Sequence, residues 1–158
     1  MAIVPAPASA APIGDYSCDI TTLRVNEELD NGSSGPFTAA GSAECWTGDV
    51  NQKVTTALSA SGTYRAQKCH LINPVIPSYL TLTGTITLTP SGDSAVSTGV
   101  TITTADVGTA STGPGTISLG SGQTGYVTAR YTNYLLGFVA RCGGDGFSPV
   151  YSGTFLKL

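Results

Sequence analysis

The most regular stretch of the chain is residues 79–89, where Leu80, Leu82, Gly84, Ile86 and Leu88 alternate with Thr81, Thr83, Thr85, Thr87 and Thr89. A period of two over that length predicts a strand with one face in a core and the other in water, and β-branched threonine suits the wet face. Pro90-Ser91-Gly92-Asp93-Ser94 supplies turn chemistry, after which Val96, Thr98, Val100 and Ile102 resume the alternation. Setting Leu88 opposite Val96 also sets Leu82 opposite Ile102, so both apolar rows share a face and the segment is predicted to be a hairpin.

The same test near the C-terminus predicts a hairpin turning at Thr132-Asn133, with Tyr131 opposite Tyr134, Ala129 opposite Leu136 and Val127 opposite Phe138. Cys142 falls farther along that apolar face. The opposite face then carries Tyr126, Thr128, Arg130, Leu135, Val139 and Arg141, a mixture of apolar and cationic groups. Toward the N-terminus, Asn31-Gly32 is a favoured turn pair, and a hairpin centred on it places Cys18 directly opposite Cys45. The apolar phase changes between Ile20 and Leu23, which requires a bulge.

Further strands are expected at residues 50–58, 63–71, 116–119 and 150–158, separated by Ser59-Ala60-Ser61-Gly62, by Asn73-Pro74-Val75-Ile76-Pro77, by the Gly/Ser/Thr tract 108–125 and by Gly143-Gly144-Asp145-Gly146. No segment shows helical periodicity. About ten short strands with intervening turn signals predict an all-β chain, and an antiparallel β-sandwich, immunoglobulin-like or jelly-roll-like, is favoured over a barrel. No linker divides the chain, so residues 13–158 are expected to form a single domain behind residues 1–12.

The four cysteines, Cys18, Cys45, Cys69 and Cys142, include no C-x-x-C pair of the kind used by zinc sites or redox centres, so two disulfides are expected. Hairpin register selects Cys18 with Cys45, and elimination leaves Cys69 with Cys142. Disulfides imply an oxidising compartment. Ala8-Ser9-Ala10 has the small-x-small form of an export cleavage site, so residues 1–12 read as the remnant of a bacterial signal peptide, with a retained Pro/Ala-rich flexible arm as the alternative. Both lines point to a secreted, extracellular protein.

Composition narrows the function. Only 11% of residues are charged, yet no apolar run approaches the ~20 residues a spanning helix needs, so no membrane insertion is expected. Ten acidic against seven basic residues give a net charge of -3 and argue against nucleic acid as a partner. The single His70 adjoins Cys69 and should face solvent; with no nucleophile elbow beside it, no catalytic site is expected. The acidic run Glu27-Glu28-x-Asp30-Asn31-Gly32 lacks the alternating ligands of a calcium loop, and the cysteines are placed in disulfides, so no metal and no cofactor are expected. Asn31-Gly32-Ser33 matches a glycosylation sequon, which has no consequence behind a bacterial signal. Trp46, next to Cys45, is expected in the core rather than as an exposed stacking platform. The threonine row 81–89 is a single rank on a twisted strand, too narrow for an ice-binding array.

The binding candidates that remain are Tyr126, Arg130 and Arg141, since tyrosine stacks on apolar ring faces and arginine forks onto carboxylates or hydroxyls. Against them, tract 108–125 would cover that face in a two-sheet sandwich. The tract running from Ala129-Arg130-Tyr131 to Ala140-Arg141-Cys142 resembles the small bacterial α-amylase inhibitors. Their Trp-Arg-Tyr tripeptide is lacking, because Thr47 and Gly48 follow Trp46, and no site is carried over. The leading expectation is a binding module or inhibitor for a protein or saccharide target. The alternative is a structural subunit of an extracellular assembly such as a filament, virion or toxin particle, docking on other subunits through residues 2–12.

Overall fold

The computed structural model describes residues 16–27, 29–30, 34–47, 53–66, 78–92, 94–106, 112–131, 146–147 and 149–156. They form β1 (Tyr16–Val25), β2 (Leu29–Asp30), β3 (Ser34–Thr47), β4 (Lys53–Ala66), β5 (Ser78–Pro90), β6 (Val96–Asp106), β7 (Thr112–Leu119), β8 (Thr124–Tyr131), β9 (Gly146–Phe147) and β10 (Pro149–Leu156). Eight of these close into an antiparallel barrel in the order β1-β10-β8-β7-β6-β5-β4-β3, while β2 and β9 pair separately. Each barrel strand therefore lies beside its predecessor in the chain, an up-and-down barrel closed by the pairing of β1 with β10.

This overturns the expected sandwich of about ten short strands, immunoglobulin-like or jelly-roll-like. Two segments account for the error. Ser59-Ala60-Ser61-Gly62 is not a turn: it lies inside β4, whose alternation runs unbroken through Leu58, Ala60, Gly62 and Tyr64 on the inner face. Tract 108–125 is not a covering loop either, since its residues 112–119 are β7, paired with β6 on one side and β8 on the other.

Other expectations hold in detail. β5 and β6 pair with Leu82 opposite Ile102 and Leu88 opposite Val96. Cys18 faces Cys45 across β1 and β3, and their sulfurs are bonded. The register of β1 shifts after Ile20 against both neighbours, so one extra residue at Thr21-Thr22 moves the inward phase from Cys18 and Ile20 to Leu23 and Val25. Cys69 and Cys142 lie outside the described residues, as do residues 1–15.

Among the described residues the interior is mostly apolar, with Thr56, Thr104 and Gln123 as buried polar side chains. Ala129, Tyr151, Leu23 and Gly41 are successive neighbours across β8, β10, β1 and β3, so the two wholly buried large side chains, Tyr151 and Leu23, lie between two small residues. Leu82, Ile102 and Ile117 form another row, each at most 1% exposed. Burying a side chain of that size contributes about 1.5–3 kcal/mol. The outer wall is the reverse, with Thr83, Thr85, Thr101, Thr116, Ser118, Thr124 and Thr128 all facing water.

Closure requires steep local bending, and glycine provides it where backbones touch. Gly62 faces Gly84, and a Cβ on Gly84 would lie 1.9 Å from the Ser61 carbonyl oxygen. Gly41 accommodates the β1 bulge, since a Cβ there would lie 1.9 Å from the Thr22 carbonyl oxygen. Gly84→Ala is thus expected to lower the unfolding free energy by about 2–3 kcal/mol. Gly99→Ala, whose Cβ would meet its nearest neighbours at 3.9 Å, should leave stability unchanged or slightly raised; denaturant titration of both variants checks the contrast. The Cys18–Cys45 bond spans 27 residues, so a Cys18→Ala/Cys45→Ala variant is expected to lose about 3.5 kcal/mol in the same assay.

Candidate functional site

Alternation along β8 turns Val127 and Ala129 inward and leaves Tyr126, Thr128 and Arg130 exposed, the same parity that the sequence predicts. The predicted hairpin partner of this strand is another matter. β8 bonds β10 along one edge and β7 along the other, and residues 134–142, expected as its hairpin partner, lie outside the described residues. Arg141, Leu135 and Val139 lie outside the described residues, and Tyr126 and Arg130 are brought together with a different set of neighbours.

Those neighbours come from β10 and β1. Arg130 is opposite Val150, and Val150 is opposite Arg24, so two exposed guanidinium side chains flank one half-buried valine across three strands. Two strand spacings put their Cα atoms roughly 10 Å apart. The next outward row sets Ser152 opposite Thr128, and the one beyond sets Thr154 between Asp19 and Tyr126. Tyr126 is 74% exposed and stands four residues from Arg130 on the same strand face, about 13 Å along it.

The bulge in β1 shapes this wall. Thr21 and Thr22, where the extra residue sits, line a hollow of about 280 Å³ together with Thr128, Arg130, Val150, Ser152 and the backbone side of Tyr151. A bulge bends its strand and interrupts the ladder, leaving a concavity in an otherwise convex wall. Hydroxyls and one guanidinium face the hollow, and Arg24 stands beside it. Neither arginine has an ion-pair partner among the described residues. Arg24 escaped sequence reasoning because its place beside Arg130 depends on the pairing of β1 with β10. A second hollow of about 250 Å³, over Gly84, Gly99 and Gly120, has hydroxyl walls from Thr83, Thr101 and Ser118 and no charged lining.

Other candidates resolve into structural roles. Trp46 is not in the core: as the residue after inward-facing Cys45 it points outward, half-buried, with the Lys53 ammonium 5.4 Å from its ring centroid. Glu27, from the acidic run, is engaged in fastening the open end of the β1–β3 pair. Its carboxylate accepts hydrogen bonds from the Thr38 amide at 2.8 Å and the Thr38 hydroxyl at 2.5 Å, while the Asn26 amide donates to the Thr38 carbonyl at 2.9 Å. Among the described residues no group of three or more His, Cys, Asp or Glu could hold a metal ion. His70 and Asn31-Gly32-Ser33 lie outside the described residues.

Comparison with protein-family models, with curated proteins and with solved structures returns no significant match, the α-amylase inhibitors included.

Partial desolvation pushes the Glu27 carboxyl up, but the Thr38 hydroxyl, the Thr38 amide and its own amide outweigh that and hold it below the ordinary 4.5. A carboxylate held low in the folded state stabilises the fold above its unfolded pKa, and that contribution is lost as pH falls through the folded value. Glu27→Gln should accordingly lower Tm near neutral pH, with the difference from the native chain shrinking to nothing as acid protonates the carboxyl in the folded and unfolded chain alike. Thermal unfolding across that range measures it, and a difference that persists in acid would contradict the assignment.

Proposed function

We propose that this chain is a secreted, non-enzymatic binding module that engages its target on the outer wall formed by β1, β10 and β8. The observation that carries the proposal is the Arg24-Val150-Arg130 row beside the hydroxyl-lined hollow over the bulge. Elsewhere the outer wall is largely neutral hydroxyl, a surface suited to water, whereas a transmembrane barrel carries an outward apolar band. Inward positions carry large buried side chains such as Tyr151, Leu82 and Ile117, which favours a ligand site on the outer wall. The Cys18–Cys45 bond is compatible with export to an oxidising compartment. The assembly alternative finds less support, because the barrel is closed and, among the described residues, the open strand edges belong to the two-residue β2 and β9, too short to hold an added N-terminal arm firmly.

The test is binding of the chain to immobilised acidic and neutral polysaccharides and to acidic and basic proteins, followed by biolayer interferometry. A probe held by the native chain should bind about tenfold or more weakly to an Arg24→Ala/Arg130→Ala variant, as expected for losing hydrogen bonds to charged groups. Arg65→Ala, an exposed arginine on β4 across the barrel, should leave binding unchanged. Equal binding by the native chain and the double variant would refute the proposal.

A further inference from the structure

Resting on the binding-module proposal, we infer that the β1-β10-β8 wall takes an acidic glycan, with a carboxylate or sulfate held between Arg24 and Arg130 and a sugar ring lying against Tyr126. Three features converge on that chemistry. The first is charge complementarity: on a chain of net charge -3, two arginines without ion-pair partners among the described residues stand on either side of one valine. A guanidinium binds a planar carboxylate through a fork of two charge-assisted hydrogen bonds, and a second guanidinium across the gap can take the remaining lone pairs.

The second feature is the lining. Thr21, Thr22, Thr128 and Ser152 present hydroxyls that both donate and accept, which matches the hydroxyls of a sugar. A protein partner would be better served by an apolar anchor pocket, and apart from Val150 and Tyr126 the outward groups here are polar. The third is the placement of Tyr126. Among the described residues it is the one strongly exposed large apolar side chain, and it lies on the same strand face as Arg130 with only Thr128 between them. An aromatic face offers a platform for the apolar face of a pyranose, so one strand supplies an ionic anchor and a stacking surface about 13 Å apart, enough for a short oligosaccharide to touch both. Asp19, joined to this end of the wall through Thr154, accepts hydrogen bonds and repels a second anion, so the acidic group is directed to the arginine end.

Isothermal titration with oligogalacturonate, its neutral methyl ester and polyglutamate of matching charge tests the inference, using the full chain and the variants Arg24→Ala, Arg130→Ala and Tyr126→Ala. All three positions are exposed, and unchanged thermal unfolding verifies that each variant is folded. The expected result is binding of oligogalacturonate over both other probes, weakened about tenfold by each arginine variant and further reduced by added salt. Tyr126→Ala should weaken it severalfold without altering the salt dependence. Equal binding of the neutral ester, or tighter binding of polyglutamate, would overturn the acidic-glycan inference while leaving the wall as a binding surface. Probe binding that is indifferent to all three substitutions would overturn both.

Discussion

Closing a sheet on itself demands that every strand keep one row of side chains inward while the backbone bends far enough to return the last strand to the first. In this chain the demand is met by strict alternation, by glycines where neighbouring backbones touch, and by one bulge. The inner row is Leu, Ile, Val, Ala and Gly with a few rings, and small residues such as Ala129 and Gly41 make room for Tyr151 and Leu23. The chain-entropy contribution of the Cys18–Cys45 bond, about 3.5 kcal/mol, equals that of one or two buried leucines at about 1.5–3 kcal/mol each. The disulfide therefore reinforces a barrel that packing already specifies, and it ties the closing strand β1 to β3.

The bulge links fold to site. Were β1 to run through Thr21-Thr22 without a bulge, Leu23 and Val25 would face water and Arg24 would face the core. With it, the apolar phase is preserved, the wall is indented, and Arg24 emerges in register with Val150 and Arg130. A feature required to keep a strand in phase also builds a concavity with a cationic lining. The candidate site thus depends on long-range pairing of the two ends of the chain, whereas the rest of the outer wall depends only on local alternation.

That division explains what the sequence reveals. The β5–β6 register and the Cys18–Cys45 pairing were legible because each follows from a turn signal and two apolar rows, and the bulge was legible as a break in phase after Ile20. The continuity of β4 was hidden by Ser59-Ala60-Ser61-Gly62, which has turn composition, although Leu58, Ala60 and Tyr64 never leave the same phase. Favouring a sandwich over a barrel was the wrong choice, since alternation is identical in both and only the β1–β10 pairing decides between them. The exposed parity of Tyr126 and Arg130 was correct. Their expected partners, residues 134–142, lie outside the described residues, and the described neighbours of β8 are β10 and β7. Trp46 was misplaced by its proximity to a disulfide, when its parity next to Cys45 already turned it outward.

The seam between β1 and β10 is thus where fold and site stand together, and cross-strand nuclear Overhauser contacts in the folded chain interrogate it directly. Contacts linking Cys18 with Phe155, Asp19 with Thr154 and Arg24 with Val150 are predicted, with the register step after Ile20 visible between them. A spectrum in which β1 contacts β3 alone and β10 contacts β8 alone would mean an open sheet, and would separate Arg24 from Arg130.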